Sequence, residues 1–245
     1  MALDKQRCKQ VRKDAIFLSK NNGGYHYGGS FSCAEILVSL YDHILGDHDK
    51  FILSKGHGCW VYYVLLRELG YDPLLEGHPH YDPKNGIHCT AGSMGHGLPV
   101  GIGMALAKKL KKEDGEIFVL MGDGECQEGT TWESMLIAGK LRLNNLNVII
   151  DNNGIQGSGF VNDILPVMDA VEAVASVAGW NVYCIDGHNE DLLELYPELK
   201  TMDKPNLIIA NTIKGKGVSF MENVPKWHST WLAGELEEKA MEELS

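Results

Sequence analysis

Short apolar runs alternate with amphipathic segments along most of the chain. Five runs have the length and the β-branched content of buried strands, and they cover residues 50–54, 117–121, 147–151, 181–186 and 206–212. Apolar residues at helical spacing predict helices over residues 5–19, 33–45, 58–69, 97–111, 131–143, 167–178, 191–199 and 234–244. Strands that alternate with helices predict an α/β fold, with a doubly wound, mainly parallel sheet flanked by helices.

The 245 residues are enough for one large domain, and no linker or internal repeat divides them. We therefore expect a single domain over residues 1–245. Loop-forming residues concentrate at 21–30, 77–97 and 154–162. Ligands of open α/β sheets bind beyond the carboxyl ends of the strands, so these loops are expected to surround a ligand.

Composition and charge narrow the class of protein. Hydrophobic residues make up 44% of the chain, yet no apolar run approaches the roughly 20 residues of a membrane span. The amino-terminal segment has no apolar core of a secretory signal, and the six cysteines are scattered without zinc-ribbon spacing. We therefore expect reduced thiols, a cytoplasmic location and no membrane partner. The net charge of −11 argues against nonspecific binding to nucleic acid.

A helix start is predicted near residue 33. Ser32 and Glu35 have the spacing of a capping box, in which each side chain bonds the backbone at the other's position. This pattern predicts that both side chains serve the local end of the helix.

Two polar turns follow neighbouring strands. Gly122-Asp123-Gly124 follows the strand at 117–121, and Asn152-Asn153-Gly154 follows the strand at 147–151. A right-handed crossover places both turns at the same sheet edge, so Asp123 and Asn153 are expected to share a ligand. Their oxygen atoms suit magnesium or calcium, and magnesium favours few protein ligands plus phosphate oxygens. The simpler alternative is that Asp123 stabilises a helix amino terminus and that Asn152 caps a turn.

The two turns also resemble the thiamine diphosphate motif, in which GDG is followed about thirty residues later by an NN-type end. Further segments resemble the diphosphate-binding half of transketolase in the same order, namely GYHYGGSFSCAEIL, DKFILSKGHG, GHP, TAGSMGHGL, GDGECQEGTTWE, DNNGIQ and KGKGVSFMENVPKWH. The chain differs from common family sequences at His96, where glutamine is usual, at Ser229, where glycine often follows the histidine, and over residues 81–89.

The resemblance implies roles for particular residues. Asp123, Asn153 and the carbonyl of Ile155 would bind magnesium, and Gly124 would lie against the diphosphate of the cofactor. Gly92 and Met94 resemble the segment that contacts the aminopyrimidine ring. Glu128 resembles an acid that meets the partner domain across the subunit interface. The histidines that would surround the diphosphate and the reacting carbon are His26, His57, His78 and His228.

The remaining histidines are interpreted as surface or loop residues, and they are His43, His48, His80, His88, His96 and His188, with a cofactor contact open for His96. A zinc site among His78, His80, His88, Cys89 and His96 is an alternative, although the spacing matches no compact zinc motif. Residues 214–217 (Lys-Gly-Lys-Gly) are interpreted as a loop near the cofactor or as a solvated turn.

A full-length transketolase also has a pyrimidine-binding domain and a third domain. The resemblance therefore implies the thiamine diphosphate- and Mg²⁺-binding subunit of a split transketolase, which transfers a two-carbon ketol unit from a ketose to an aldose. Its partners would be sugar substrates and a second polypeptide with the pyrimidine-binding domain, with two copies of each in the assembly and no activity for either one alone. Two alternatives are a component of another thiamine diphosphate enzyme that uses a 2-oxo acid, and a noncatalytic cofactor-binding protein.

Overall fold

The computed structural model describes residues 2–20, 22 and 25–245. The strands are β1 (Lys50–Leu53), β2 (Ile117–Gly122), β3 (Leu146–Asn152), β4 (Ile155–Gln156), β5 (Gly159–Phe160), β6 (Asn181–Asp186) and β7 (Asn206–Asn211). Within these described residues the α-helices are α1 (Lys5–Ser19), α2 (Tyr27–Phe31), α3 (Ala34–Ser39), α4 (Cys59–Glu68), α5 (Gly97–Lys111), α6 (Gly129–Leu141), α7 (Val161–Ile164), α8 (Met168–Ala178), α9 (Asp191–Leu199) and α10 (Glu235–Glu243).

The central sheet has the order β1-β2-β3-β7-β6, and every neighbouring pair of strands is parallel. Side chains of β2 alternate between two cores: Val119 faces one and Leu120 faces the other. Helices α5, α6 and α8 cover the first core, whereas α1, α3, α4 and α9 cover the second. This arrangement confirms the predicted fold class, because a parallel sheet is stable when both of its faces are covered.

All five predicted strands of the sheet and all eight predicted helices occur, with ends that move by a few residues. The helix predicted over residues 33–45 changes its hydrogen bonding part-way, since α3 is followed by a π-helical turn at Leu40–Ile44. No helix in the described part of the chain has the length and apolarity needed to cross a membrane.

Two of the predicted loops contain regular structure. The loop at 154–162 includes the antiparallel hairpin of β4 and β5 and the start of α7. The loop at 21–30 includes most of α2, while Asn21, Gly23 and Gly24 lie outside the described residues. The sequence of helix α2 shows no apolar periodicity, and tertiary contacts hold the helix in place: a Cβ at Gly28 would lie 2.8 Å from the carbonyl oxygen of Trp227.

The predicted capping box at Ser32 and Glu35 is wrong. Ser32 donates its hydroxyl to Asp151 Oδ2 at 2.6 Å, and Glu35 accepts two hydrogen bonds from Arg12. Both side chains are buried, and each bonds a charged group in the interior instead of the backbone at the helix end.

Candidate functional site

A cavity of about 350 Å³ opens where β1, β2 and β3 end. Its walls come from the turns after these strands, from the β4–β5 hairpin and from isolated residues of later loops. The lining residues discussed below are Lys55, His57, His78, Gly92, Met94, Asp123, Gly124, Glu125, Glu128, Asn153, Ile155, Gln156, Lys214 and His228. The position at the carboxyl edge of the sheet agrees with the rule for open α/β sheets.

The turns after β2 and β3 meet at Asp123. Asp123 Oδ1 accepts from the Gly124 amide at 2.8 Å, and Oδ2 accepts from the Gly154 amide at 2.5 Å. The parallel register, in which Gly122 lies beside Asp151, brings the two turns together. Burial and the neighbouring Asp151 raise the pKa of Asp123 to about 6. An isolated buried carboxylate is unfavourable, so a cation at this position would stabilise its charged form.

Asn153 and Ile155 add two further oxygen atoms to the lining of the cavity that contains Asp123. The amide of Asn153 donates to Asp151 Oδ2 at 2.9 Å, and its Oδ1 accepts from the Ile155 amide at 3.1 Å. The Ile155 carbonyl accepts from Lys214 Nζ at 2.7 Å. The three residues of the predicted metal set thus line one cavity, and their candidate donor atoms are all oxygens.

Gly124 has a neighbour that the sequence did not indicate. A Cβ at Gly124 would lie 2.6 Å from Gln156 Oε1, so the glycine is needed to seat the Gln156 side chain. Gln156 Oε1 is buried without a protein partner in the described part of the chain. The cavity wall therefore contains an unused polar atom next to the predicted diphosphate position.

The four predicted catalytic histidines form one cluster. The His26 ring centroid lies 5.5 Å from that of His57, 6.2 Å from His78 and 5.2 Å from His228, and the His57 and His228 centroids are 4.9 Å apart. His26 adopts the left-handed backbone conformation, with φ of 66°, immediately before α2. Such a conformation is uncommon outside glycine and often occurs at functional sites.

Burial keeps these imidazoles neutral. It lowers the pKa of His26 to about 4, with help from His78 and Lys214, and it lowers the pKa of His228 to about 3, with help from Lys214. The pKa of His57 is also lowered, by burial and then by Lys214. Among the described residues, Nδ1 of His26 and Nδ1 of His228 are buried without a hydrogen-bond partner. The cluster therefore offers neutral imidazoles with free polar atoms to a ligand.

The segment from Gly92 to Met94 forms the outer rim of the cavity. Gly92 lies beside the His78 ring, and the Met94 side chain is 44% exposed. Glu128 is also exposed at this rim, directly before α6. His96 turns its Nδ1 toward Ser93 and the Met94 carbonyl and does not line the cavity. The rim is therefore open to solvent in the isolated chain.

The fold and the motif order agree with comparisons to known proteins. Residues 4–243 match the family model described as transketolase, thiamine diphosphate binding domain. The chain belongs to the transketolase family. It is 36% identical to one of the subunits of an apulose-4-phosphate transketolase from Actinobacillus succinogenes, over 98% of this chain and 95% of the relative. It is 35% identical to a 6-deoxy-6-sulfo-D-fructose transketolase subunit of Clostridium, over 89% of this chain and 88% of the relative.

Solved transketolases share the architecture. The structure from Campylobacter jejuni superposes with a TM-score of 0.85 at 27% identity, over 98% of this chain. The chain spans 42% of the length of that transketolase chain. The expectation of a transketolase-type subunit with a thiamine diphosphate-binding domain is thus confirmed.

Three buried charged groups at the cavity were missed from the sequence, namely Lys55, Asp151 and Glu125. Asp151 is fully buried, and it accepts from Lys55 Nζ, from Thr212 Oγ1 and from the Asn153 amide. Burial alone would raise the pKa of Asp151, but the Lys55 ammonium outweighs it, so that pKa is lowered. The one signal in the sequence was an acidic residue inside an apolar strand, directly before the asparagines.

Glu125 was also missed, and it joins two parts of the cavity wall. Its Oε1 accepts from the Ser54 hydroxyl at 2.5 Å and from the Gly95 amide at 2.9 Å, whereas its Oε2 accepts from the Gly122 amide at 2.8 Å. Glu125 therefore fixes the Met94 rim relative to the turn after β2.

The geometry also bears on three other interpretations. In the part of the chain that the structure describes, no three His, Cys, Asp or Glu side chains are grouped to hold a metal, so the zinc alternative has no support. Asn152 bonds Asn211 Oδ1 at 2.8 Å and lies outside the cavity lining. Lys214 is buried against the cavity, so residues 214–217 do not form a merely solvated turn.

Proposed function

We propose that the chain is the thiamine diphosphate- and Mg²⁺-binding half of a transketolase-type enzyme, which moves a two-carbon ketol unit from a ketose to an aldose. The observation that carries this proposal is the hydrogen bond from the Gly154 amide to Asp123, which brings the two halves of the cofactor motif together. This contact lies in a chain whose family match covers residues 4–243.

The donor atoms fit a hard divalent cation. A carboxylate from Asp123, an amide oxygen from Asn153 and the carbonyl of Ile155 would hold Mg²⁺, which prefers oxygen ligands and completes its shell with phosphate oxygens. The Lys214 ammonium would then leave the Ile155 carbonyl and bind the diphosphate instead. The buried Asp123 carboxylate supports this assignment, because burial and Asp151 raise its pKa and a cation would stabilise its charged form.

The cavity also fits a diphosphate. Lys214 supplies a buried ammonium in the wall, and burial together with Lys55 lowers its pKa to about 8. An anion next to Lys214 would raise this pKa again and favour the ammonium further. Thiamine diphosphate, when bound, supplies an electron sink for the carbanion formed by cleavage of the ketose. Gly92, Met94 and Gly124 would line the cofactor, and Glu128 at the rim would meet the part of the enzyme that covers it.

The four histidines would bind the sugar hydroxyls and transfer protons between them. His26, His57, His78 and His228 are neutral because of burial or, for His78, are shifted in that direction by burial and His80. A neutral imidazole both accepts and donates a hydrogen bond, so the cluster can bind sugar hydroxyls and move protons between them. The unpartnered Nδ1 atoms of His26 and His228 support this role.

A partner surface is expected on the outer side of α5 and α6. We call the exposed residues Val100, Gly103, Ala107, Leu136 and Ile137 the α5–α6 face. Helix α5 begins just after Met94 and α6 just after Glu128, so this face starts at the rim of the cavity. Contiguous exposed apolar residues mark interaction sites.

The occupant of the α5–α6 face would be the polypeptide that carries the pyrimidine-binding domain. The chain spans 42% of a solved transketolase chain, and a similar protein is named as one component of a transketolase with more than one kind of chain. Two copies of each polypeptide would form the assembly. The free state of all six cysteines supports a cytoplasmic location for it.

The sugar substrates are proposed to carry an acidic substituent. One relative is named for a sugar phosphate and another for a sulfo sugar. We extend this shared feature of the two names to the ketose or aldose that the present chain would use.

Reconstitution with the partner tests the function. The partner would be taken from a neighbouring reading frame that encodes a pyrimidine-binding domain, copurified, and assayed with thiamine diphosphate and Mg²⁺. We expect ketol transfer from a ketose phosphate by the complex and none by the chain alone. Consumption of pyruvate in place of the ketose would favour the 2-oxo acid alternative. A complex that binds the cofactor but converts neither donor would favour the noncatalytic alternative.

A further inference from the structure

A buried charged cluster lies behind the cavity and contributes no residue to its lining. Arg12 forms a two-point ion pair with Glu35, at 2.7 and 2.6 Å, and His188 Nδ1 lies 3.0 Å from Glu35 Oε2. Arg12 and Glu35 are buried, and the His188 side chain is 12% exposed. We call these three residues the Glu35 cluster. The interpretation of His188 as a surface or loop residue is wrong in part, because the loop carries this side chain into the interior.

Arg12 connects the Glu35 cluster to helix α2. Its guanidinium donates to the Phe31 carbonyl from Nη2 at 2.7 Å and from Nε at 3.2 Å. Phe31 is the last residue of α2, and His26 directly precedes the first. The cluster thus holds the end of α2 that is remote from the cavity.

His188 connects the Glu35 cluster to the segment after β7. The Ile213 amide donates to His188 Nε2 at 2.7 Å, so this nitrogen carries no proton. The ring proton therefore resides on Nδ1 and is donated to Glu35. Gly187 allows this approach, since a Cβ there would clash with Thr212 Cγ2.

Ile213, whose amide bonds His188, directly precedes Lys214 in the chain. On its other side, the Gly215 amide donates to the Gly28 carbonyl of α2 at 3.0 Å. Both chain neighbours of Lys214 are thus held, the Ile213 amide by His188 and the Gly215 amide by α2. The Lys214 side chain reaches the Ile155 carbonyl at 2.7 Å. Both bonds depend on elements that the Glu35 cluster fixes.

We propose that His188 is a positioning residue that sets the reach of Lys214 into the cavity and thereby the affinity for a diphosphate. The proposal rests on the proposed function for the identity of the ligand. The Ile213–His188 bond itself does not depend on that identity, so it is open to a separate measurement.

Two isosteric variants separate the two bonds of the His188 ring. The amide of Asn in His188→Asn falls near the Nδ1 position and keeps a donor for Glu35, but it leaves the Ile213 amide without an acceptor. The amide of Gln in His188→Gln falls near the Nε2 position and keeps that acceptor. His43→Asn is the matched control, because His43 is exposed.

The first measurement is the dissociation constant of thiamine diphosphate with Mg²⁺, for the reconstituted complex. We expect His188→Asn to weaken binding by about tenfold, the lower end for residues that orient a binding group. His188→Gln and His43→Asn are expected to stay within about threefold of the wild type. A merely structural role would lower the urea midpoints of His188→Asn and His188→Gln alike without separating their affinities.

The second measurement is hydrogen exchange of the peptide that contains residues 213–215, in the chain without cofactor. Faster exchange only in His188→Asn supports the positioning role. Wild-type affinity in His188→Asn, or equal exchange in the two His188 variants, would overturn it. Failure of the wild-type complex to bind thiamine diphosphate would instead overturn the proposed function.

Discussion

The floor of the cavity and the α5–α6 face differ in which side chains they bury and which they expose to solvent. On the floor, the charges of Lys55, Asp123, Asp151 and Lys214 are buried and bonded to neighbouring protein atoms. On the α5–α6 face, Leu136 and Ile137 are apolar and 56% and 51% exposed. The floor is organised before any ligand arrives, whereas the α5–α6 face leaves apolar area in water that a second protein would remove.

Removal of the central carboxylate is expected to have the largest effect. Asp123→Ala should weaken Mg²⁺-dependent binding of thiamine diphosphate by about 100-fold or more, because the remaining ligands carry no full charge. Calorimetric titration of the complex with cofactor and Mg²⁺ measures this change. The fold should remain intact by circular dichroism, since the alanine removes a buried charge. Unchanged binding would show that the floor is not the metal site.

The meeting of the two polar turns in the cavity could be predicted from the sequence. The turns containing Asp123 and Asn153 follow predicted strands of one crossover unit, so their meeting point was predictable from chain order and handedness. Asp151, Lys55 and Glu125 were not, because a polar residue within an apolar strand or turn gives no sign of its long-range partner. His188 was misplaced for the same reason: its partner Glu35 lies 153 residues away in the chain.

The same limit explains the failure at Ser32. Its local spacing to Glu35 predicted a helix cap, but Asp151 and Arg12 offer buried partners to these two side chains. An unpaired buried charge costs more than a lost cap, so the long-range bonds form. Helix α2 escaped prediction because its position depends on Trp227 and Lys214, which lie far along the chain.

A charged substitution on the α5–α6 face tests whether this face binds the partner polypeptide. Ile137→Glu is expected to weaken association with the partner polypeptide by about 100-fold, or roughly 3 kcal/mol, because a carboxylate would be buried without a counter-charge. Analytical ultracentrifugation of the two mixed polypeptides measures it. Phe17→Glu is the matched control, since Phe17 is 77% exposed on α1, which covers the opposite side of the sheet. Equal weakening by both variants would contradict the assignment of this face.

Acidification should destabilise the cavity side of the comparison. An unfolded histidine takes up a proton near pH 6.5, whereas burial lowers the pKa of folded His26 to about 4, so stability is lost progressively as the pH falls through this window. Asp123 opposes this trend, because its raised pKa lets the folded chain take up a proton first. Urea unfolding between pH 7 and pH 4 should therefore show a shallower loss for His26→Gln than for the wild type. Parallel curves would contradict the burial of a neutral His26.

A pair of glycines in α5 gives the smallest effects and compares the two sides of one helix. A Cβ at Gly101 would lie 2.5 Å from Val119 Cγ2, whereas a Cβ at Gly103 would meet no atom within 4 Å in the described residues. Gly101→Ala should cost about 1–3 kcal/mol of unfolding free energy through overpacking. Gly103→Ala should add about 0.5–1 kcal/mol through helix propensity. Urea denaturation of the isolated chain checks both signs, and a loss at Gly103 would mean that this position is already packed.

The register of β2 against β3 has a consequence for the entropy of binding. Gly122 and Asp151 are direct neighbours in the sheet, so the turns that carry Asp123 and Asn153 are ordered when the sheet forms. Little backbone freedom remains to be lost there when a ligand enters, so the affinity of the floor is not reduced by a cost of ordering. The larger loss of entropy would then accompany the association of two separately folded polypeptides.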